Sequence, residues 1–155
     1  MIKIAISAGH TKGTGAAALN GEQEHEWNSE VIRHYATLMK SNGYEAVVFH
    51  RDPALSYGRA MSKLAKEIKA AGCILALELH FNSSSNRRAN GYEFLHWWGS
   101  QKSRNLAKNL GLSFGRTFRA MRMRGEDDGA RALWFHRYNE SRAYSGRGGA
   151  FVFKT

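Results

Sequence analysis

The chain is poor in cysteine and in acid, and it has no long apolar run. Its one cysteine, Cys73, excludes an intrachain disulfide. The position of Cys73 at the head of an apolar run suits a buried reduced thiol rather than a metal ligand or a nucleophile. The only apolar beginning, Met1-Ile2-Lys3-Ile4-Ala5-Ile6, is too short for a signal peptide or a membrane span and reads as a first β-strand. The expectation is a chain made and folded in the cytoplasm. No internal repeat or linker divides the sequence, which leaves one domain over its 155 residues, long enough to bury a core unaided. Acidic residues number 13 against 23 lysines and arginines, a formal charge of +10. That surplus implies an anionic partner, whether nucleic acid, membrane headgroups or an acidic wall polymer.

What is present is an alternation of strand and helix periods. Residues 2–7 form a first strand, followed by a Gly-, Ala- and Thr-rich loop from Ala8 to Gly21 that can carry ligands over a sheet edge. Trp27, Val31, Tyr35 and Leu38 then recur at helical spacing, which predicts a helix from Gly21 to Lys40 with those four side chains on its inward face. Asn42-Gly43 ends it. Tyr44 to Phe49 is a second strand, Arg51-Asp52-Pro53 a turn, and Leu55 to Ala70 a second helix with Leu64 and Ile68 inward and its lysines outward.

Cys73 to Phe81 is nearly continuous apolar sequence, the pattern of a central strand covered on both faces. Gly91 to Trp97 reads as another strand, and Leu106, Leu110, Phe114 and Phe118 mark a third helix. Ala132 to Phe135 and Ala150 to Phe153 are short strands in a loop-rich tail. The fold class is therefore α/β, a single-domain sandwich of helices around a mostly parallel central sheet. Its site belongs beyond the carboxyl ends of the strands.

Chemistry-bearing residues collect at those strand ends. Ser7-Ala8-Gly9-His10 closes the first strand, and Leu77-Glu78-Leu79-His80-Phe81-Asn82 closes the central one. In a parallel sheet both histidines rise to the same rim. Glu24 opens the first helix, where the dipole favours a carboxylate. Two imidazoles and a carboxylate are the protein share of a catalytic zinc site, which keeps a fourth position for a water whose pKa falls to about 7. His25, His34, His50, His96 and His136 lack such a setting and read as surface or structural.

These residues, taken in order, resemble the zinc-dependent N-acetylmuramoyl-L-alanine amidases of the amidase 3 family, particularly phage lysis enzymes (endolysins). The resemblance rests on Ile6-Ser7-Ala8-Gly9-His10, on Asn20-Gly21 with Glu24 and Asn28, and on Gly43-Tyr44, Arg51 and Arg59. The runs Glu78-Leu79-His80-Phe81-Asn82 and Asn90-Gly91-Tyr92-Glu93 complete it. It implies that His10, Glu24 and His80 bind Zn2+, and that the chain hydrolyses the peptidoglycan amide between N-acetylmuramic acid and the first L-alanine of the stem peptide. Asn82 and Arg87 are candidate substrate-binding residues, and the pair Arg87-Arg88, in the loop after His80, is expected to meet stem-peptide carboxylates. Such an enzyme, made in the host cytoplasm, would reach the cell wall with help from a membrane-permeabilising protein and act in cytolysis.

The resemblance also implies a catalytic glutamate on a late strand, and the sequence reaches Thr155 before one appears. Ala150 to Phe153 resembles the strand before it, so the domain is expected to lack the last strand. Glu78 is the substitute acid or base, because a two-residue offset puts it on the strand face of His80. It lies about 7 Å deeper, which also suits a partner for the imidazole. Glu126 and Glu140 are looser candidates.

Arg116, Arg119, Arg122 and Arg124 form either a solvated helix end or an attachment point for anionic membrane or wall polymers. Trp97-Trp98 and Trp134 are rim packing or sugar platforms. Three readings stand: a lysis amidase acting on peptidoglycan, another zinc hydrolase such as a nuclease, and a non-catalytic wall-binding zinc domain. Nucleic acid is not the expected partner, because a nuclease leaves the Glu-Leu-His-Phe-Asn context unexplained.

Overall fold

A computed structural model describes residues 1–18, 21–81, 93–97, 100–117, 130–133 and 150–154. The elements run β1 (Ile2–Ala8), α1 (Glu24–Ser41), β2 (Tyr44–Phe49), α2 (Tyr57–Ala70), β3 (Leu75–His80), β4 (Glu93–Trp97), α3 (Gln101–Thr117), β5 (Ala130–Leu133) and β6 (Ala150–Lys154). The sheet order is β2-β1-β3-β6-β4-β5. Every pairing is parallel except β4 with β6, so the expected α/β fold with a mostly parallel sheet is observed.

Period-two alternation divides the strands between two apolar layers. Ile4, Ile6 and Ala8 of β1 and Leu77 of β3 join Ile32 of α1, Phe94 of β4 and Ala107 of α3. On the opposite face Ala5 and Ala76 pack with Met61, Leu64 and Ile68 of α2. Helices α1 and α3 thus cover one face and α2 the other. Strands β2, β1 and β3 all deliver their carboxyl ends to one rim, the rim where α1 begins.

The inward face of α1 differs from the expectation. Tyr35 is 37% exposed and Leu38 58% exposed, whereas Glu24, Asn28 and Ile32 are buried. The buried row is offset by one residue from the apolar row, about 100° around the helix. The cause is polar: Glu24 and Asn28 are drawn to backbone groups at the sheet rim, and the helix turns to deliver them. Trp27 remains close enough to pack its ring 5.4 Å from that of Phe81. The helix also starts at Glu24 rather than Gly21, because Gly21 has φ +86°, outside helical space.

Helix α2 begins after Ser56 rather than at Leu55, and Leu64 and Ile68 face inward as expected. Strand β3 begins at Leu75. Cys73 is free and only half-buried, and burial raises its thiol pKa. The expected strand at Ala132 is observed two residues earlier. Among the described residues no helix is long and apolar enough to cross a membrane.

Strand β6 lies directly beside β3, in register Ala76↔Ala150 through His80↔Lys154. Its sequence carries no carboxylate.

Candidate metal centre

Three elements meet at the rim. His10 stands just beyond β1 with φ +65°, a left-handed conformation that L-residues other than glycine seldom adopt. This sharp exit turns the imidazole back over the sheet end. Glu24 is the first residue of α1, and His80 is the last of β3. Their metal-ligating atoms all lie within 4.8 Å of one another.

Glu24 holds the cluster together. Its Oε1 accepts from the Phe81 backbone N–H at 2.8 Å and lies 3.0 Å from His80 Nδ1. Its Oε2 accepts from the Ala16 N–H at 2.8 Å and lies 3.5 Å from His10 Nε2. The His10 and His80 rings meet edge-on, with centroids 5.0 Å apart. The loop between β1 and α1 is tied to the helix start by Ala18 N–H to Glu22 O at 2.8 Å, Glu24 N–H to Ala16 O at 2.9 Å and Gly13 N–H to Glu26 at 3.1 Å.

Two glycines make room. A Cβ on Gly9 would stand 2.3 Å from His80 ring atoms, and one on Gly15 would stand 2.8 Å from Glu24 Oε2.

The electrostatics follow from this packing. Burial raises the Glu24 carboxyl, but hydrogen bonds from His80, Ala16 and Phe81 outweigh it and bring the pKa to about 2. Burial lowers the His10 imidazole, against the pull of Glu24 and with the push of His80 and Arg51. For His80, burial is outweighed by hydrogen bonds with Glu24 and Glu78, and the net shift is upward. An ionised carboxylate beside convergent imidazoles is a donor set that fits a metal ion. Tetrahedral zinc with bonds of about 2.0–2.1 Å sets its donors about 3.4 Å apart, close to the 3.0 and 3.5 Å that separate Glu24 from His80 and His10.

Beneath His80 lies a second layer that the sequence showed only in part. Glu78 and Ser7 are register partners on adjacent strands, and the Ser7 hydroxyl donates to Glu78 Oε2 at 3.2 Å. Glu78 Oε1 accepts from Arg51 Nη2 and lies 2.7 Å from His80 Nε2. The Arg51 side chain is 4% exposed, and its guanidinium sits 5.2 Å over the Tyr57 ring. Burial raises the Glu78 carboxyl, but the His80 hydrogen bond and the Arg51 charge bring it to about 2. Arg51 enters the sequence reading only as a motif residue beside a turn. The signal for its role is positional: it falls two residues past β2, on the strand face of Phe49, which is level with Ser7.

Asn28, one helical turn after Glu24, donates to Leu79 O at 3.0 Å, which gives the Glu-x-x-x-Asn spacing a structural reason. The described histidines among those set aside stay outside the cluster. His25 reaches Gly9 O at 3.3 Å, His34 lies beside Glu30 on the surface, and His50 is exposed, its ring 6.3 Å from that of His25. His96 is buried in β4. Asn82, Arg87, Arg119, Arg122, Arg124, Glu126, Trp134, His136 and Glu140 lie outside the described residues, and Arg116 is exposed on α3.

An α/β domain with a His, Glu and His cluster at the carboxyl rim of its sheet has the donor set of a metal centre. Residues 4–141 match the amidase 3 family, described as N-acetylmuramoyl-L-alanine amidase, and the chain belongs to that family. Comparison with curated proteins returns no match. Among solved structures, the chain is similar to the catalytic domain of the CD27L endolysin targeting Clostridia difficile, with 21% identity and a TM-score of 0.74 over 97% of this chain and 80% of that one. It is similar to the amidase AmiC2 of Nostoc punctiforme, with 20% identity and a TM-score of 0.73 over 97% and 77% of the two chains. It also resembles Ami1 of Mycobacterium smegmatis, with 10% identity and a TM-score of 0.76 over 99% and 81%. The cluster of His10, Glu24 and His80 agrees with the metal site of amidase 3 enzymes, and peptidoglycan is the substrate that membership implies.

Proposed function

We propose that this chain is a zinc-dependent peptidoglycan amidase of phage-mediated cell lysis, hydrolysing the bond between N-acetylmuramic acid and L-alanine. The observation that carries the reading is the convergence of His10, Glu24 and His80 within 4.8 Å in a chain of this family. The lysis role is supported by the likeness to an endolysin catalytic domain. Zinc, held by those three side chains, supplies Lewis acidity toward the scissile carbonyl and acidifies water.

The chain's own residues do the rest. His10 and His80 present ring nitrogens, and Glu24 is fixed by two backbone N–H groups, so the donors need little rearrangement. Hydrolysis adds the elements of water across the amide: hydroxyl to the lactyl carbon, hydrogen to the departing alanine nitrogen. Glu78, ionised at rest, is proposed as the acid or base of that transfer, taking up a proton before giving it on, and Asn82 and Arg87 are proposed to meet substrate. Arg116, Arg119, Arg122 and Arg124 are proposed to hold anionic membrane or wall polymers, with retention that falls as salt rises.

A binding-only reading has one observation in its favour: β6, the late strand beside β3, carries no carboxylate and pairs Lys154 with His80. One experiment separates the two. Purified peptidoglycan is incubated with the full chain, with chelator, and with chelator followed by zinc. Chelator-sensitive release of L-alanine amino termini supports the amidase, whereas bound zinc with no release leaves a wall-binding domain. At full zinc occupancy, unchanged turnover of Glu78→Gln would remove Glu78 from the proton transfer.

A further inference from the structure

Resting on the metal-site reading, we infer that Arg51, Ser7 and Glu78 form a buried positioning relay that fixes the His80 ring so that Nδ1, not Nε2, is its metal-binding atom. Glu78 Oε2 accepts from the Ser7 hydroxyl, and Oε1 accepts from Arg51. A guanidinium can only donate, and an ionised carboxylate can only accept. The His80 nitrogen 2.7 Å from Glu78 Oε1 is thus held against an acceptor, as Nδ1 is held against Glu24 Oε1, and an ion bound beside Glu24 and His10 displaces the hydrogen of Nδ1 while that of Nε2 stays in place. Arg51 Nη2 lies 3.5 Å from the same ring nitrogen but donates to Glu78 Oε1, so that side of the ring is occupied by Arg51 and Glu78. The other nitrogen, Nδ1, is the one that faces Glu24 at 3.0 Å, on the side where His10 Nε2 also meets Glu24.

The position of these residues fits orientation better than stability. A buried ion pair costs so much desolvation that well-packed apolar replacements are often neutral or stabilising. Yet Arg51 and Glu78 stand with side chains 4% and 11% exposed, on the α2-facing side of the sheet where Ala5 and Ala76 are apolar. Strand register explains how they meet. Ser7 is opposite Glu78, Phe49 is opposite Ser7, His80 follows Glu78 by two residues on β3, and Arg51 follows Phe49 by two residues just past the end of β2. The period of two puts all four on one face. A carboxylate behind a ligating imidazole fixes its tautomer and raises its basicity, and losing such a partner typically weakens metal binding about 10–100-fold. Arg51 is then a positioning residue once removed, holding the Glu78 side chain aimed at His80.

The test uses the full chain and zinc. In the zinc-loaded protein, 15N NMR of the His80 ring is expected to show the proton on Nε2 and the ion on Nδ1. Zinc on Nε2 overturns the relay, and this measurement needs no variant. Competition with a chromophoric chelator should show zinc bound about 10–100-fold more weakly by Glu78→Gln. Arg51→Met should also bind more weakly, and the double variant should be no worse than Glu78→Gln alone, because Arg51 acts through Glu78. Unchanged affinity in Glu78→Gln, or full additivity in the double variant, overturns the proposal. Failure of the unmodified chain to bind zinc overturns the metal-site reading itself, a result separable from the others.

Discussion

The His80 ring occupies the space that a side chain at Gly9 would fill: a Cβ there would lie 2.3 Å from its Cε1 and Nδ1 and 2.6 Å from the Leu79 carbonyl. Backbone and ligand are packed to contact, and the Gly9 N–H donates to that same Leu79 O at 2.7 Å. Neither partner can retreat without breaking a sheet-end hydrogen bond. Gly9→Ala is therefore expected to cost about 1–3 kcal/mol of stability, the usual cost of overpacking, and to weaken zinc binding as well. Urea unfolding of the metal-free chain and zinc titration would check the two effects separately.

Gly13 and Gly15 offer a matched pair. Both have positive φ, +74° and +104°, but nothing lies within 4 Å of a Cβ at Gly13, whereas one at Gly15 would meet Glu24 Oε2 at 2.8 Å and His10 Cδ2 at 3.0 Å. Gly13→Ala should cost only backbone strain, about 1–2 kcal/mol, and leave zinc affinity as it was. Gly15→Ala should add a loss of zinc affinity to a comparable strain. Equal zinc affinities in the two variants would contradict the cradle described here.

The corrected face of α1 makes a prediction about stability alone. Ile32 is fully buried and Leu38 is 58% exposed. Ile32→Ala should destabilise by about 2–5 kcal/mol, and Leu38→Ala by no more than about 0.5 kcal/mol, the usual range for surface changes. Chemical denaturation of both reads the difference directly. The reverse order would restore the apolar row of Trp27, Val31, Tyr35 and Leu38 as the core face.

Metal removal should be visible in stability. An ion that binds only the folded chain stabilises it by about 2.7 kcal/mol at a free concentration one hundred times its Kd. Adding zinc to the stripped protein should raise its melting temperature accordingly, and a chelator should reverse the rise. In His80→Ala the zinc-dependent rise should vanish. A rise that survives this change would place the ion elsewhere.

Much of this arrangement is legible in the sequence because strands write their ends plainly. The apolar runs ending in Ser7-Ala8-Gly9-His10 and Glu78-Leu79-His80 each place a histidine at a carboxyl rim, and parallel pairing of β1 with β3 brings the rims together. What is not legible is orientation. The apolar spacing on α1 points to one face, but two polar side chains, Glu24 and Asn28, decide the rotation through backbone partners on β3 and just beyond it. Spacing records which residues are apolar and says nothing of a distant carbonyl waiting for a donor. Arg51 is hidden for a related reason: its partner Glu78 is 27 residues away, and only the register between strands makes them neighbours. The short tail strands lie in sequence with weak periodicity, so their positions shift by a residue or two.

The cluster draws on a loop, a helix start and a strand end, with His80 joined to Glu24 across 56 residues and Glu78 to Ser7 across 71. No contiguous stretch of chain holds it. The three ligands cannot converge until β3 lies beside β1 and the first turns of α1 are docked at the rim. Metal uptake by a folding chain therefore reports that β1, α1 and β3 have come together.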